Sequence, residues 1–110
     1  MAKIIFLIRS TPFQELNNYE AMRASIAFYD HEVTIAWMGD GVYYPLKTSD
    51  KSNTQSILRL FKDLNIRLIV DADELLQRGY SNKDIIPEVD PVPHSEVILT
   101  LAQADSVLRF

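Results

Sequence analysis

The strongest restriction on the fold of this chain comes from an apolar run at residues 4–8 that never alternates with polar side chains. A strand of this kind is buried on both faces, which is typical of a parallel sheet covered by helices. Residues 33–38 and 66–70 are predicted as two further strands, with Arg67 the one discordant residue of the third. A glycine or a carboxylate follows each of these two strands, as expected where strands end and loops begin.

The segments between the strands predict helices. A first helix runs to about Asp30 with Asn17 or Asn18 as its N-cap, and a second begins after Ser52 or Asn53. Their apolar side chains recur at helical spacing and mark the buried faces. These side chains are Met22, Ile26 and Tyr29 in the first helix, and Ile57, Leu60, Phe61 and Leu64 in the second.

The C-terminal part of the chain predicts two more helices and the last strands. Asp71 or Asp73 caps a short helix that ends at a glycine, and Ser95 caps the last helix. Prolines make residues 88–94 irregular or a short edge strand. Residues 107–110 close the chain as a strand.

This order of elements predicts an α/β fold with right-handed crossovers. We expect a three-layer α/β/α sandwich with a mostly parallel sheet of about five strands and a flavodoxin-like arrangement. Residues 1–110 form one domain, since no linker, repeat or low-complexity segment interrupts them.

Composition excludes several classes of function. Eleven basic against fifteen acidic residues give a formal charge of −4, which argues against a surface for nucleic acid phosphates. The absence of cysteine excludes disulfides, thiolate metal sites and a thiol nucleophile in this chain. No apolar run approaches the roughly 18 residues of a membrane span, and the first one is too short for a signal peptide. We therefore expect a cytoplasmic protein with no membrane or direct nucleic acid partner.

Asp71 and Asp73 follow a buried strand, where the chemistry of α/β proteins usually lies. The pair resembles the D-x-D motif of Mg²⁺-dependent enzymes of the haloacid dehalogenase type, which suggests a hydrolase or phosphotransferase as the alternative function. Leu75 stands where those enzymes have Thr or Val. Capping of a helix is the favoured explanation, so we predict no metal and no cofactor.

The other candidate pocket or interface residues also follow predicted strands. They are Ser10, Thr11, Asp40, Gly41, Tyr43, Tyr44 and Asp73. Core packing is an equal alternative for the two tyrosines. His31 opens the second strand, away from Asp71, and His94 precedes a helix; both are predicted to be surface or packing residues. No histidine is evident near Ser10 or Thr11, which argues against a serine triad.

Four segments resemble the DsrE/DsrF/TusCD sulfur-relay family over nearly the whole chain, its DsrF/TusC branch in particular. They are residues 3–6 (KIIF), 40–43 (DGVY), 75–79 (LLQRG) and 105–110 (DSVLRF). The resemblance implies a small α/β/α protein of DsrEFH type that assembles as trimers or hexamers. It also implies the passage of persulfide sulfur between cysteines, for 2-thiouridine in tRNA or for sulfur oxidation.

In sulfur-carrying members, a cysteine precedes the helix that ends Leu-x-x-Arg-Gly, and this position falls at or next to Asp71. Without cysteine the chain cannot carry a persulfide. The resemblance therefore implies a non-catalytic subunit that acts as a homo-oligomer or with cysteine-bearing DsrE/TusD-like proteins. A small-ligand sensor of flavodoxin type is a further alternative, for which no residue specifies a ligand.

Overall fold

The computed structural model describes residues 1–13 and 16–110. In chain order its elements are β1 (Lys3–Ile8), α1 (Asn17–Ser25), β2 (Glu32–Trp37), α2 (Gln55–Leu64), β3 (Arg67–Asp71), α3 (Ala72–Gln77), β4 (Asp90–Val92), α4 (His94–Ala102) and β5 (Ser106–Arg109). Short 3₁₀ turns occupy Ile26–Phe28, Gly39–Tyr43 and Asn82–Asp84. Within the described ranges, every helix is too short or too polar to cross a membrane.

All five strands pair in parallel, in the order β4-β3-β2-β1-β5. Ile5 lies opposite Thr34 on one side and Val107 on the other, so β1 is an interior strand paired along both edges. The prediction of a mostly parallel, about five-stranded sheet is confirmed. The proline-containing β4 is an edge strand, as the sequence allowed, because Pro91 has no N–H to give to a further neighbour.

The two faces of the sheet carry separate apolar layers. Phe6, Ile35 and Val70 point to the face covered by α1, α2 and α3. Leu7 and Ile69 alternate with them and point to the opposite face, where α4 packs. The predicted three-layer sandwich is therefore confirmed, and strands buried on both sides explain why the runs lack alternation.

The helices that follow two neighbouring strands, β3 and β4, lie on opposite faces of the sheet. α3 follows β3 and inserts Leu75 into the first layer, whereas α4 follows β4 and inserts Val97 into the second. The region between the carboxyl ends of these two strands, called the crevice below, is a topological switch point, the place where ligand sites of open α/β sheets occur.

The predicted caps of three helices are wrong. α1, α2 and α4 begin after Leu16, Thr54 and Pro93, without a side-chain cap bond, rather than at the predicted asparagines and serines. Tertiary contacts explain part of this: Asn18 is buried and accepts a hydrogen bond from Trp37 Nε1 at 2.8 Å. The core therefore uses an asparagine that local chemistry assigned to a cap.

Gly41 allows the 3₁₀ turn after β2 to press against the end of β1. A Cβ at position 41 would lie 2.2 Å from the carbonyl oxygen of Ile8, a backbone atom that cannot rotate away. The turn is consequently fixed over the carboxyl end of the sheet, where it forms one wall of the crevice region.

We predict that Gly41→Ala lowers the free energy of unfolding by at least about 3 kcal/mol, because one of two backbones must move. Gly79→Ala is the matched control: Gly79 has a positive φ of +88° but no neighbouring atom within 4 Å, so about 1 kcal/mol is expected. Urea unfolding measures both. Equal losses for the two variants would contradict the close-approach argument.

Candidate functional site

The crevice at the switch point brings together residues from β3 and the start of α4. Asp71, the last residue of β3, lies opposite Val92 of β4 in the sheet register. His94 is two residues farther along the chain and begins α4. The side chains of Asp71 and His94 therefore meet at the carboxyl edge.

The carboxylate of Asp71 is completely buried, and both of its oxygens have partners. Oδ1 accepts a hydrogen bond from the backbone N–H of Glu74 at 3.0 Å, which confirms Asp71 as the cap of α3. Oδ2 lies 2.5 Å from Nδ1 of His94. A buried charge needs such partners, since burial without them is costly.

His94 is held at two of its atoms. Its backbone N–H donates to Oδ2 of Asp73 at 2.8 Å, and its ring engages Asp71 through Nδ1 while remaining 45% exposed. The hydrogen bond and the negative charge of Asp71 raise the pKa of the imidazole above its ordinary value of 6.5, with smaller contributions from Glu74 and Asp73. The geometry thus favours a protonated ring that donates to Asp71.

Glu74 joins this pair to the turn after β2. Its Oε2 accepts a hydrogen bond from the backbone N–H of Gly39, and its Oε1 lies 3.8 Å from Nδ1 of His94. The side chain is only 17% exposed. Two carboxylates and one imidazole therefore converge, with donor atoms all within 4.8 Å of one another.

An aromatic and cationic group borders the site. Arg78 donates to Oδ1 of Asp40 at 3.2 Å, and its guanidinium carbon lies 5.9 Å from the ring centroid of Tyr43. Tyr43 also contacts the rings of Phe13 and Tyr80, at centroid distances of 6.0 and 6.2 Å. Asp40 and Tyr43 thus belong to one partly exposed surface beside the crevice.

The remaining predicted residues serve local or core roles. Tyr44 is buried in the core, where its hydroxyl lies 2.6 Å from Oγ1 of Thr54, and burial raises its pKa to about 12. Ser10 accepts a hydrogen bond from the side chain of Asn17, the first residue of α1, and Thr11 accepts one from the Phe13 backbone within its own loop. Of the two alternatives for Tyr44, the structure selects core packing.

The sequence did not identify His94 or Glu74 as neighbours of Asp71. The sequence assigns His94 only a surface or packing role, whereas the structure places its ring against Asp71, because β4 pairs with β3 and carries His94 to the same edge. The available signal was the position of His94 just after a possible parallel strand, at the edge where Asp71 also lies. That strand, β4, has only three residues and contains Pro91, so the sequence predicts it weakly.

The magnesium alternative gains no support from this geometry. Oδ2 of Asp71 engages the ring of His94, whereas Oδ2 of Asp73 accepts from the backbone N–H of the same residue. The two carboxylates of the D-x-D motif are thus committed to different atoms.

We predict that NMR titration places the pKa of His94 above 6.5 and that Asp71→Asn lowers it, because the amide removes the charge while keeping an acceptor for the cap. Glu96→Gln is the control, since Glu96 lies on the same helix but pairs with Arg67. An unchanged His94 titration in Asp71→Asn would contradict the assigned cause.

The same shift predicts a pH dependence of stability. A histidine whose pKa is raised by folding contributes its full stabilisation to the folded protein when the pH is below the unfolded-state pKa of about 6.5. This stabilisation is lost as the pH rises through the pKa of the folded state. The difference in unfolding free energy between wild type and His94→Gln should therefore shrink as the pH rises, measured by urea unfolding. His31→Gln serves as the control, and a difference that grows with pH would reverse the assigned sign.

Comparison with known proteins places this architecture in a family. The model of the DsrE/DsrF-like family matches residues 2–110. Two solved structures are similar in fold over 100% of both chains. The YchN protein from E. coli has 22% sequence identity and a TM-score of 0.84. MTH1491 from Methanobacterium thermoautotrophicum, a protein of unknown function, has 15% sequence identity and a TM-score of 0.76. No curated protein matches the chain. The chain belongs to the DsrE/DsrF-like family, and through it to a superfamily related to sulfur relay.

Proposed function

We propose that this chain is a cysteine-free subunit of a sulfur-relay assembly, formed with copies of itself or with cysteine-bearing DsrE/TusD-like relatives. The observation that carries the proposal is Asp71, whose buried carboxylate stands at or next to the position that the family resemblance assigns to the sulfur-carrying cysteine. The chain has no cysteine anywhere, so any thiol must come from a partner.

Asp71 is unsuited to take over the role of that cysteine. A carboxylate forms no persulfide, and its negative charge repels an incoming thiolate. Both of its oxygens are already bonded, to the Glu74 backbone and to His94. These contacts support a binding or architectural role for the subunit.

The exposed side of α4 is the surface best suited to assembly. Ile98 and Leu99 are adjacent on this helix and are 47% and 56% exposed. α3, which contacts α4, exposes 67% of Leu76. Large apolar side chains left in water on neighbouring helices are typical of protein–protein interfaces.

Two further surfaces support partner binding. The group of Phe13, Tyr43 and Arg78 presents aromatic and cationic side chains, the types most enriched at interface centres. β5 is an edge strand with nothing paired on its outer side within the described residues. We infer that one or both of these surfaces accept the cysteine-bearing relative.

Native mass spectrometry of the purified chain tests the self-assembly version. We expect a trimer or hexamer, and we expect Leu99→Glu to shift it toward monomer because a charge enters the apolar contact. Gln55→Glu, which adds the same charge at an exposed position of α2, should leave the mass unchanged. If the wild-type chain is monomeric on its own, the self-assembly version is wrong and only the mixed assembly is left.

Mixing the chain with cysteine-bearing relatives from the same source tests that second version. A stable mixed complex with fixed stoichiometry is the expected result. A chain that stays monomeric in both experiments would overturn the proposed function.

A further inference from the structure

We propose that Asp71, Glu74 and His94 form a binding site for a divalent transition-metal ion, with Zn²⁺ as the probe ion. The sequence predicted no metal here, because Asp71 and His94 become neighbours only through the pairing of β3 with β4. The set combines one imidazole nitrogen with two carboxylates, supplied by the end of β3, by α3 and by the start of α4.

One oxygen of each carboxylate is anchored by a backbone N–H, and the other faces Nδ1 of His94, where a metal ion would take the place of the ring proton. The Glu74 N–H holds Oδ1 of Asp71, and the Gly39 N–H holds Oε2 of Glu74. Oδ2 of Asp71 and Oε1 of Glu74 both converge on Nδ1 of His94, at 2.5 and 3.8 Å. Backbone groups that orient the ligands are a regular part of metal sites.

The distances suit an ion after small movements. Ligands about 2.0–2.1 Å from a tetrahedral zinc lie about 3.4 Å apart. Nδ1 of His94 would move away from Asp71 by about 1 Å, and Oε1 of Glu74 would approach by a few tenths of an ångström. His94 and Glu74 are partly exposed and have room to adjust, whereas Asp71 is fixed by the cap.

The charge of the site independently favours a cation. Asp71 is completely buried and Glu74 is partly buried, yet in the part of the chain that the structure describes no lysine or arginine forms an ion pair with either carboxylate. A single imidazole offsets at most one of the two negative charges. A divalent ion bound by two carboxylates and a neutral imidazole would balance both.

The donor types select the kind of metal. An imidazole nitrogen suits Zn²⁺ and other late first-row ions, whereas Mg²⁺ prefers oxygen ligands and retains its water. Three protein ligands leave a fourth position, which faces the exposed side of His94 and is available to water, as in open zinc sites.

A zinc titration of tag-free protein, after dialysis against a chelator, tests the site by competition with a chromophoric indicator. We expect one Zn²⁺ per chain, no competition by excess Mg²⁺, and affinity reduced more than about tenfold in His94→Gln and in Glu74→Gln. Co²⁺ in place of Zn²⁺ should give a visible absorption band that His94→Gln changes. His31→Gln removes the other histidine and should bind as wild type does.

Asp73→Asn separates this site from the D-x-D alternative, because Asp73 is not a proposed ligand and Asn keeps an acceptor for the His94 N–H; zinc affinity should fall less than in His94→Gln, whereas a D-x-D site would lose it. Asp71→Asn also removes a helix-cap charge, so the decision rests on His94→Gln and Glu74→Gln, which change partly exposed side chains. Circular dichroism checks that these variants fold. Wild type without stoichiometric zinc, or wild-type affinity in both His94→Gln and Glu74→Gln, would overturn the proposal. Both results are independent of the oligomeric mass, so the site and the assembly succeed or fail separately.

Discussion

A carboxylate with no exposure to solvent must find a partner for each oxygen, and Asp71 does so with two groups from different parts of the chain. The backbone N–H of Glu74 belongs to α3, the helix that follows β3. The ring belongs to His94, the first residue of α4, which covers the opposite face of the sheet. The start of α4 is thereby tied to the end of β3. Among the described helices, α4 is the one that inserts a buried side chain, Val97, into the apolar layer of that face.

The topology explains why this contact lies at the crevice. Strands β1 to β4 are added in one direction, and their connecting helices stay on one face; the chain then returns across the other face to place β5 beside β1. The change of face occurs between β3 and β4. The polar groups at the ends of these strands and at the starts of α3 and α4 bond to one another across this edge.

The polar groups at this edge are arranged in a connected series. The Gly39 backbone binds Glu74, the Glu74 backbone binds Asp71, and Asp71 binds His94, whose own backbone binds Asp73. In the proposed function, Asp71 corresponds to the thiol position of sulfur-carrying relatives, and in this structure it belongs to a group of acids around one imidazole. Such an arrangement suits the holding of a cation or of a neighbouring element better than the transfer of sulfur.

The sequence by itself determined the strands and the three-layer sandwich and limited the cap of α3 to Asp71 or Asp73, because these depend on local apolar patterns and on chemistry within a few residues. It also determined that the chain carries no thiol. Only the tertiary structure decided that Tyr44 belongs to the core and that Asn18 bonds to Trp37 instead of capping a helix. It likewise decided that His94 meets Asp71, since residues 23 positions apart become neighbours only when β4 pairs with β3, and a three-residue strand signals that pairing too weakly in the sequence.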